Sequence, residues 1–101
     1  MKAFSFDGID TVVAESLEQA KEFYKDLIGF DDAKLSIMDI EEKDMDTTTM
    51  WYKTSDLSDE IAKQNREQKI FDYTSYTKVT LKEAYEMDNI EVPYIICSAE
   101  I

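Results

Sequence analysis

Chain reversal has few natural places in this sequence: 101 residues contain only two glycines, Gly8 and Gly29, and one proline, Pro93. Such scarcity predicts dense secondary structure with short connections, and it fixes where the first elements end. Before Gly8, Lys2–Asp7 places Phe4 and Phe6 at the two-residue period of a half-buried strand. After it, Ile9–Ala14 carries Thr11-Val12-Val13, β-branched and short, so a hairpin turning at Gly8 is predicted. Gly29 is the left-handed stop of a helix that opens on Ser16, with Gln19 in the capping-box position. Leu17, Ala20, Phe23, Tyr24 and Leu27 recur at helical spacing and form its predicted inner stripe, with Glu18, Glu22, Lys25 and Asp26 facing water.

The middle of the chain is less sharply marked. Leu35 and Ile37 alternate with polar neighbours, which predicts a strand over 33–40; Glu41–Asp46 reads as an acidic turn. Thr47–Lys53, rich in β-branched and aromatic residues, predicts a strand that completes a second hairpin. Residues 55–70 are polar, with Leu57 and Ile61 giving half a stripe: a weakly held helix or a loop. A strand over 71–79 follows from the alternation of Phe71, Tyr73 and Ser75 with Asp72, Thr74 and Tyr76. Thr80 and Glu83 write a second capping box before a short helix, and Pro93 precedes an apolar run, Tyr94–Ser98, with the character of a buried strand. The fold class expected is α+β: a single domain spanning 1–101, with a mixed or antiparallel sheet of four to six strands and two to three helices on one face. An apolar fraction of 44% and aromatics at 12% supply the core that this needs; a chain of this size buries roughly 65% of its unfolded surface.

The residues that usually carry catalysis are missing. No histidine is present, which removes the commonest general base and the usual zinc chemistry. Two isolated glycines build no phosphate loop. The single cysteine, Cys97, lies in an apolar run and reads as a buried thiol. Carboxylate pairs at glycosidase spacing arise by chance among 23 acids and carry no signal. The expectation is a chain that is not an enzyme and takes no cofactor. Met1-Lys2-Ala3-Phe4 has no apolar leader core, and no apolar run approaches the roughly 20 residues that cross a bilayer. A cytoplasmic, non-membrane protein is expected.

Charge is the most unusual feature. Eleven basic residues against 23 acidic ones give −12, and between Asp7 and Glu60 the count is sixteen acids to five bases. Direct contact with nucleic acid is not expected, because phosphate neutralisation needs clustered Lys and Arg. A basic protein partner is favoured by the charge, which equally serves solubility. The candidate partner-binding residues are Glu15, Glu18, Glu22 and Asp26, then Asp31 and Asp32, then Asp39, Glu41, Glu42, Asp44 and Asp46. Carboxylates spaced along an element can imitate a phosphate backbone and meet Arg and Lys in charge-assisted pairs. The cluster from Asp39 to Asp46 also admits two other readings, a solvated hairpin tip and a Ca²⁺ or Mg²⁺ site, the latter without the turn glycine and terminal Glu of an EF-hand. Trp51, Tyr52, Tyr73 and Tyr76 are candidate aromatic anchors, or packing residues of the sheet.

The stretch Val13–Tyr24, together with Val79–Ala84 and Pro93–Ser98, resembles small proteins of phages and prophages in Gram-positive hosts. The likeness covers the two ends better than the middle, and its motifs are structural, so it assigns no functional residue. Small acidic phage proteins of this kind include anti-CRISPR and other anti-defence inhibitors, some of them DNA mimics. The resemblance implies an inhibitor that occludes the nucleic-acid-binding surface of a basic host protein, such as a CRISPR effector or another defence nuclease. The alternative from another class is a small accessory protein that pairs with copies of itself through strand edges or aromatic surface.

Overall fold

In the computed structural model, which describes residues 1–29 and 31–98, two antiparallel sheets share one core and helices cover the outer face of the first. The element order is β1 (Lys2–Phe6), β2 (Asp10–Ala14), α1 (Leu17–Ile28), α2 (Asp32–Ser36), β3 (Ile40–Lys43), β4 (Thr49–Lys53), a 3₁₀ turn (Thr54–Asp56), α3 (Asp59–Ala62), β5 (Gln68–Phe71), β6 (Thr74–Thr80), α4 (Leu81–Asp88) and β7 (Tyr94–Ser98). The first sheet runs β3-β1-β2-β7 and the second β4-β6-β5. The α+β class holds, but among the described residues the expected single sheet is two, and four helices form where two to three were expected.

Strand alternation divides the core. On one face of the first sheet, Phe4, Phe6, Val12 and Ala14 meet Ala20 and Tyr24 of α1 and Leu35 of α2. On the other, Ala3, Val13 and Ile96 meet Val79, Ile61, and Leu81 and Ala84 of α4. Burial on both faces explains why Val12-Val13-Ala14 shows no polar alternation. It also explains β7, whose apolar run suggests a central strand although it lies at a sheet edge. A register shift between Thr11 and Val12 sets Cys97 and Ile95 opposite them and leaves Ile96 as the extra residue.

α1 begins and ends where its caps place it. The Ser16 hydroxyl accepts from Gln19 N at 3.2 Å, and Gly29, at φ 72°, donates to the Lys25 carbonyl. The expected capping box is only half made, since Gln19 Oε1 accepts from Glu15 N, not from Ser16. The inner stripe also turns: Leu27 is exposed and Ile28 packs inward, continuing Leu17, Ala20 and Tyr24. The Tyr24 ring stacks on Phe6 at 4.3 Å, and its hydroxyl donates to Asp10 at 2.8 Å, pinning the helix to the sheet.

Residues 33–40 correct the sequence reading. Asp31 caps the short helix α2 by accepting from Lys34 N at 2.9 Å. Leu35 is buried while Ile37 is 84% exposed, so the apparent alternation was never one strand face. The acidic turn expected over 41–46 is also displaced. Ile40–Lys43 form β3 against β1, and the turn is confined to the residues after it. β3 and β4 therefore do not pair as a hairpin; they belong to different sheets. The connection between them caps α4, with Thr48 and Met45 carbonyls accepting from Leu81 and Lys82 N–H at 2.9 and 3.0 Å.

The strand expected over 71–79 is a hairpin. β5 and β6 join through Asp72 and Tyr73, both left-handed at φ 50° and 63°. That is the type I′ geometry in which Asn-Gly is usual; a tyrosine there carries a backbone penalty of roughly 1 kcal/mol. The polar stretch before it holds two short helical turns and the start of β5, and Ile61 reaches the core.

Two polar clusters lock the second sheet in place. Asp88 sits at the carboxyl end of α4, where the helix dipole disfavours an anion. Tyr52 of β4 and Tyr94 of β7 donate to its two oxygens at 2.8 and 3.0 Å, joining both sheets through one carboxylate. Arg66 forks onto Glu83 at 2.7 and 2.6 Å, while Glu83 completes the capping box with Thr80. The guanidinium and the cap hold the Glu83 carboxyl down at about 2. Because this folded value lies below the unfolded one, its contribution is full above pH ~4.5 and is lost as pH falls towards 2. Glu83→Gln is expected to cost about 1–2 kcal/mol near neutrality and to remove that part of the acid-side decline. Urea titrations of both proteins at pH 7 and pH 3 measure it.

Candidate acidic partner-binding face

All eleven candidate acids are exposed. The topology sorts them into two groups. Glu15, Glu18, Glu22, Asp26, Asp31, Asp32 and Asp39 lie on or beside α1 and α2, the layer covering the first sheet. In that segment, 15–39, the bases are Lys21, Lys25 and Lys34. Glu18, Glu22 and Asp26 recur every fourth residue, about 6 Å apart along the axis of α1, a step of the same order as that between phosphates on a nucleic-acid strand. Lys25 spans the two helices, reaching Asp32 at 3.1 Å and Glu22 at 3.8 Å. The Asp32 contact raises the ammonium pKa. Glu15, Glu18, Asp26 and Asp39 make no ion pair among the described residues.

The second group is diluted by lysines. Strand alternation sends Glu42, opposite Phe4, to the helical side and Glu41, opposite Ser5, to the other. Glu41 pairs with Lys43 at 3.3 Å, and Asp46 approaches Lys82 at 3.9 Å. Asp44 is turned inward on its own loop, accepting from Asp46 N at 2.8 Å. Glu42, Asp44, Asp46 and Glu86 share an open cleft of about 720 Å³ with Lys2, Lys43 and Lys82, so lysines offset most of the acid at this end of the molecule. Among the described residues no three carboxylates converge as a metal site would need.

The aromatic candidates lie elsewhere. Tyr52 faces the core and is committed to Asp88. Trp51 and Tyr76 lie on the outer face of the second sheet, with the ammonium groups of Lys69 and Lys78 over the indole at 4.7 and 5.9 Å. Tyr73 is fully exposed at the β5–β6 turn. The first sheet stands between these residues and the acidic helices, so acids and aromatics do not form one surface. The sequence could not reveal this partition, because it depends on β3 and β4 joining different sheets.

What the helical face offers chemically is negative charge: exposed carboxylates spaced to accept hydrogen bonds from Arg and Lys. Cys97, half-buried between the sheets, has its thiol pKa raised by desolvation, away from nucleophilic reactivity. Comparison of the chain with protein-family models, curated proteins and solved structures finds no match.

Proposed function

We propose that this chain is a protein-binding inhibitor whose α1–α2 face covers a basic, nucleic-acid-binding surface of another protein. The observation that carries the reading is the segregation of seven exposed acids onto one helical layer with three lysines. Such a face attracts Arg and Lys clusters, steers their approach and competes with phosphates for the same contacts. The likeness of both chain ends to phage proteins points to a host defence nuclease, a CRISPR effector among them, as the partner. No catalytic step and no cofactor are involved, and the protein acts in the cytoplasm of the host cell.

Capture from host lysate at low and at high salt, read by mass spectrometry, tests this. A nucleic-acid enzyme retained at low salt, released at high salt and displaced by excess DNA is the expected result. Glu18→Lys, Glu22→Lys and Asp26→Lys together are expected to weaken that binding by ten-fold or more. The same reversal at Glu41, Glu42 and Asp44 is expected to act less, because lysines already surround them. Binding indifferent to salt and to both sets of substitutions counts against acidic mimicry.

A further inference from the structure

The acid that dominates this surface stops at the second sheet. β4, β5 and β6 carry Lys53, Lys69 and Lys78 and not one Asp or Glu, in a chain of net charge −12. Within four consecutive residues there, three large apolar side chains face solvent: Ile70 at 77%, Phe71 at 53% and Tyr73 in full. They lie along β5 and its turn, and the order β4-β6-β5 leaves the far edge of β5 without a strand partner among the described residues. Unpaired strand N–H and C=O groups are a template for another strand. The left-handed turn adds a third observation. Tyr73 holds a conformation that glycine holds at no penalty, and its ring gains no cover from the rest of the chain. Edge, apolar exposure and a disfavoured backbone coincide within a few residues.

We infer that β5 is a self-association edge, at which two copies pair antiparallel about a two-fold axis and join two three-stranded sheets into one of six strands. Symmetry restricts the register. An axis normal to the sheet keeps every side chain on its own face, so it passes through a residue, not between two. At Lys69 it would oppose two ammonium groups. At Ile70 it stacks Ile70 on Ile70 of the second copy, with Lys69 beside Phe71 and Gln68 beside Asp72 across the junction. The contact is isologous and closes at two copies.

The other strand edges fit this role less well. β3 carries Glu41 and Glu42, so pairing two copies there would gather four carboxylates along the junction, and β4 and β7 run close together, lining one small cavity with Thr49, Trp51 and Cys97. A second copy also suits the charge. Two molecules of −12 repel, and the repulsion is least where they meet away from the acid-rich layer, at an edge whose strand carries Lys69 and no acid. Aromatic side chains bury about 150–250 Å² each, so the junction lies near the lower end of stable interfaces, about 1,000 Å². The dimer is therefore expected to be reversible in the micromolar range.

Sedimentation velocity from low to high micromolar concentration tests the inference. The expected result is a monomer–dimer equilibrium that high salt strengthens, by screening repulsion between the copies. Salt acts in the opposite sense on the acidic-face binding proposed above, so the two readings fail separately. Ile70→Lys is expected to remain monomeric at every concentration with its Tm unchanged, because the side chain is exposed in the monomer. Tyr73→Gly is expected to raise the Tm of the monomer and to weaken the dimer about ten-fold. A wild-type protein that stays monomeric in high salt overturns the inference, as does an Ile70→Lys protein that dimerises like wild type or an assembly larger than two.

Discussion

Phe6→Ala is expected to lower the unfolding free energy by about 3–5 kcal/mol, a large share of the margin of a domain this size. Phe6 has no exposed surface, ends β1 where that strand pairs with both β2 and β3, and stacks on the Tyr24 ring. What makes the site costly is that its neighbour cannot move in. The Tyr24 hydroxyl is tied to Asp10, so the ring is held at its outer end while the cavity opens at its face. Cavities that fail to collapse give the upper end of such losses. Phe6→Leu, which keeps most of the volume, is expected to cost below about 1.5 kcal/mol. Equilibrium urea unfolding of the three proteins, with unchanged slopes, is the measurement. A loss under about 1 kcal/mol would mean that the helical layer is not seated on β1, and the acidic face would lose its platform.

How much of this could be read from the chain depends on whether the determining contact was local. The Gly8 hairpin, the Ser16-to-Gly29 helix and the Thr80–Glu83 cap were legible because each is written in residues contiguous along the chain. Those that failed turned on a distant partner or on a local signal with an ambiguous form. Leu35 and Ile37 look like one strand face until Asp31 is recognised as a cap, and Glu41-Glu42 look like a loop until β1 is available to pair with them. Asp72-Tyr73 hid a hairpin because the turn uses left-handed residues that are not glycine, so Phe71 to Val79 read as one continuous alternation. The acids themselves were visible by type. Their division into a helical set of seven acids with three lysines and a more lysine-diluted set was not, because Lys2 and Lys82 join Asp46 only through the fold. The Asp88 lock was likewise invisible: its three members are separated by 36 and 6 residues and belong to three elements.

That lock and the Tyr24 clamp are expected to make the protein's stability fall steeply at alkaline pH. Burial first, and then the hydrogen bond and charge of the carboxylate it serves, push the Tyr24 and Tyr52 hydroxyls from 10 up to about 12; the same causes raise Tyr94 further still. A tyrosine whose folded pKa exceeds its unfolded pKa binds its proton more tightly in the native state. Its contribution is therefore full below pH 10 and is lost as pH rises towards the folded value. Each such group removes up to about 1.4 kcal/mol per pH unit in that window, so three acting together remove at most about 4. Two units suffice to cancel the stability of an ordinary domain of this size. Unfolding by circular dichroism is thus expected between pH 10 and 12, with the ionisation of about half the tyrosines, followed by tyrosinate absorbance, coinciding with it. Asp88→Asn separates the two clusters. It replaces a double acceptor with one carbonyl and an amide donor, and is expected to cost about 1–3 kcal/mol at neutral pH. With the charge and half the acceptors gone, Tyr52 and Tyr94 are raised less, so the alkaline decline becomes shallower even though the protein starts lower. An Asp88→Asn protein with wild-type stability and an unchanged alkaline slope would show that the carboxylate does not join the sheets, and that the second sheet is held by its apolar contacts and the Arg66–Glu83 pair.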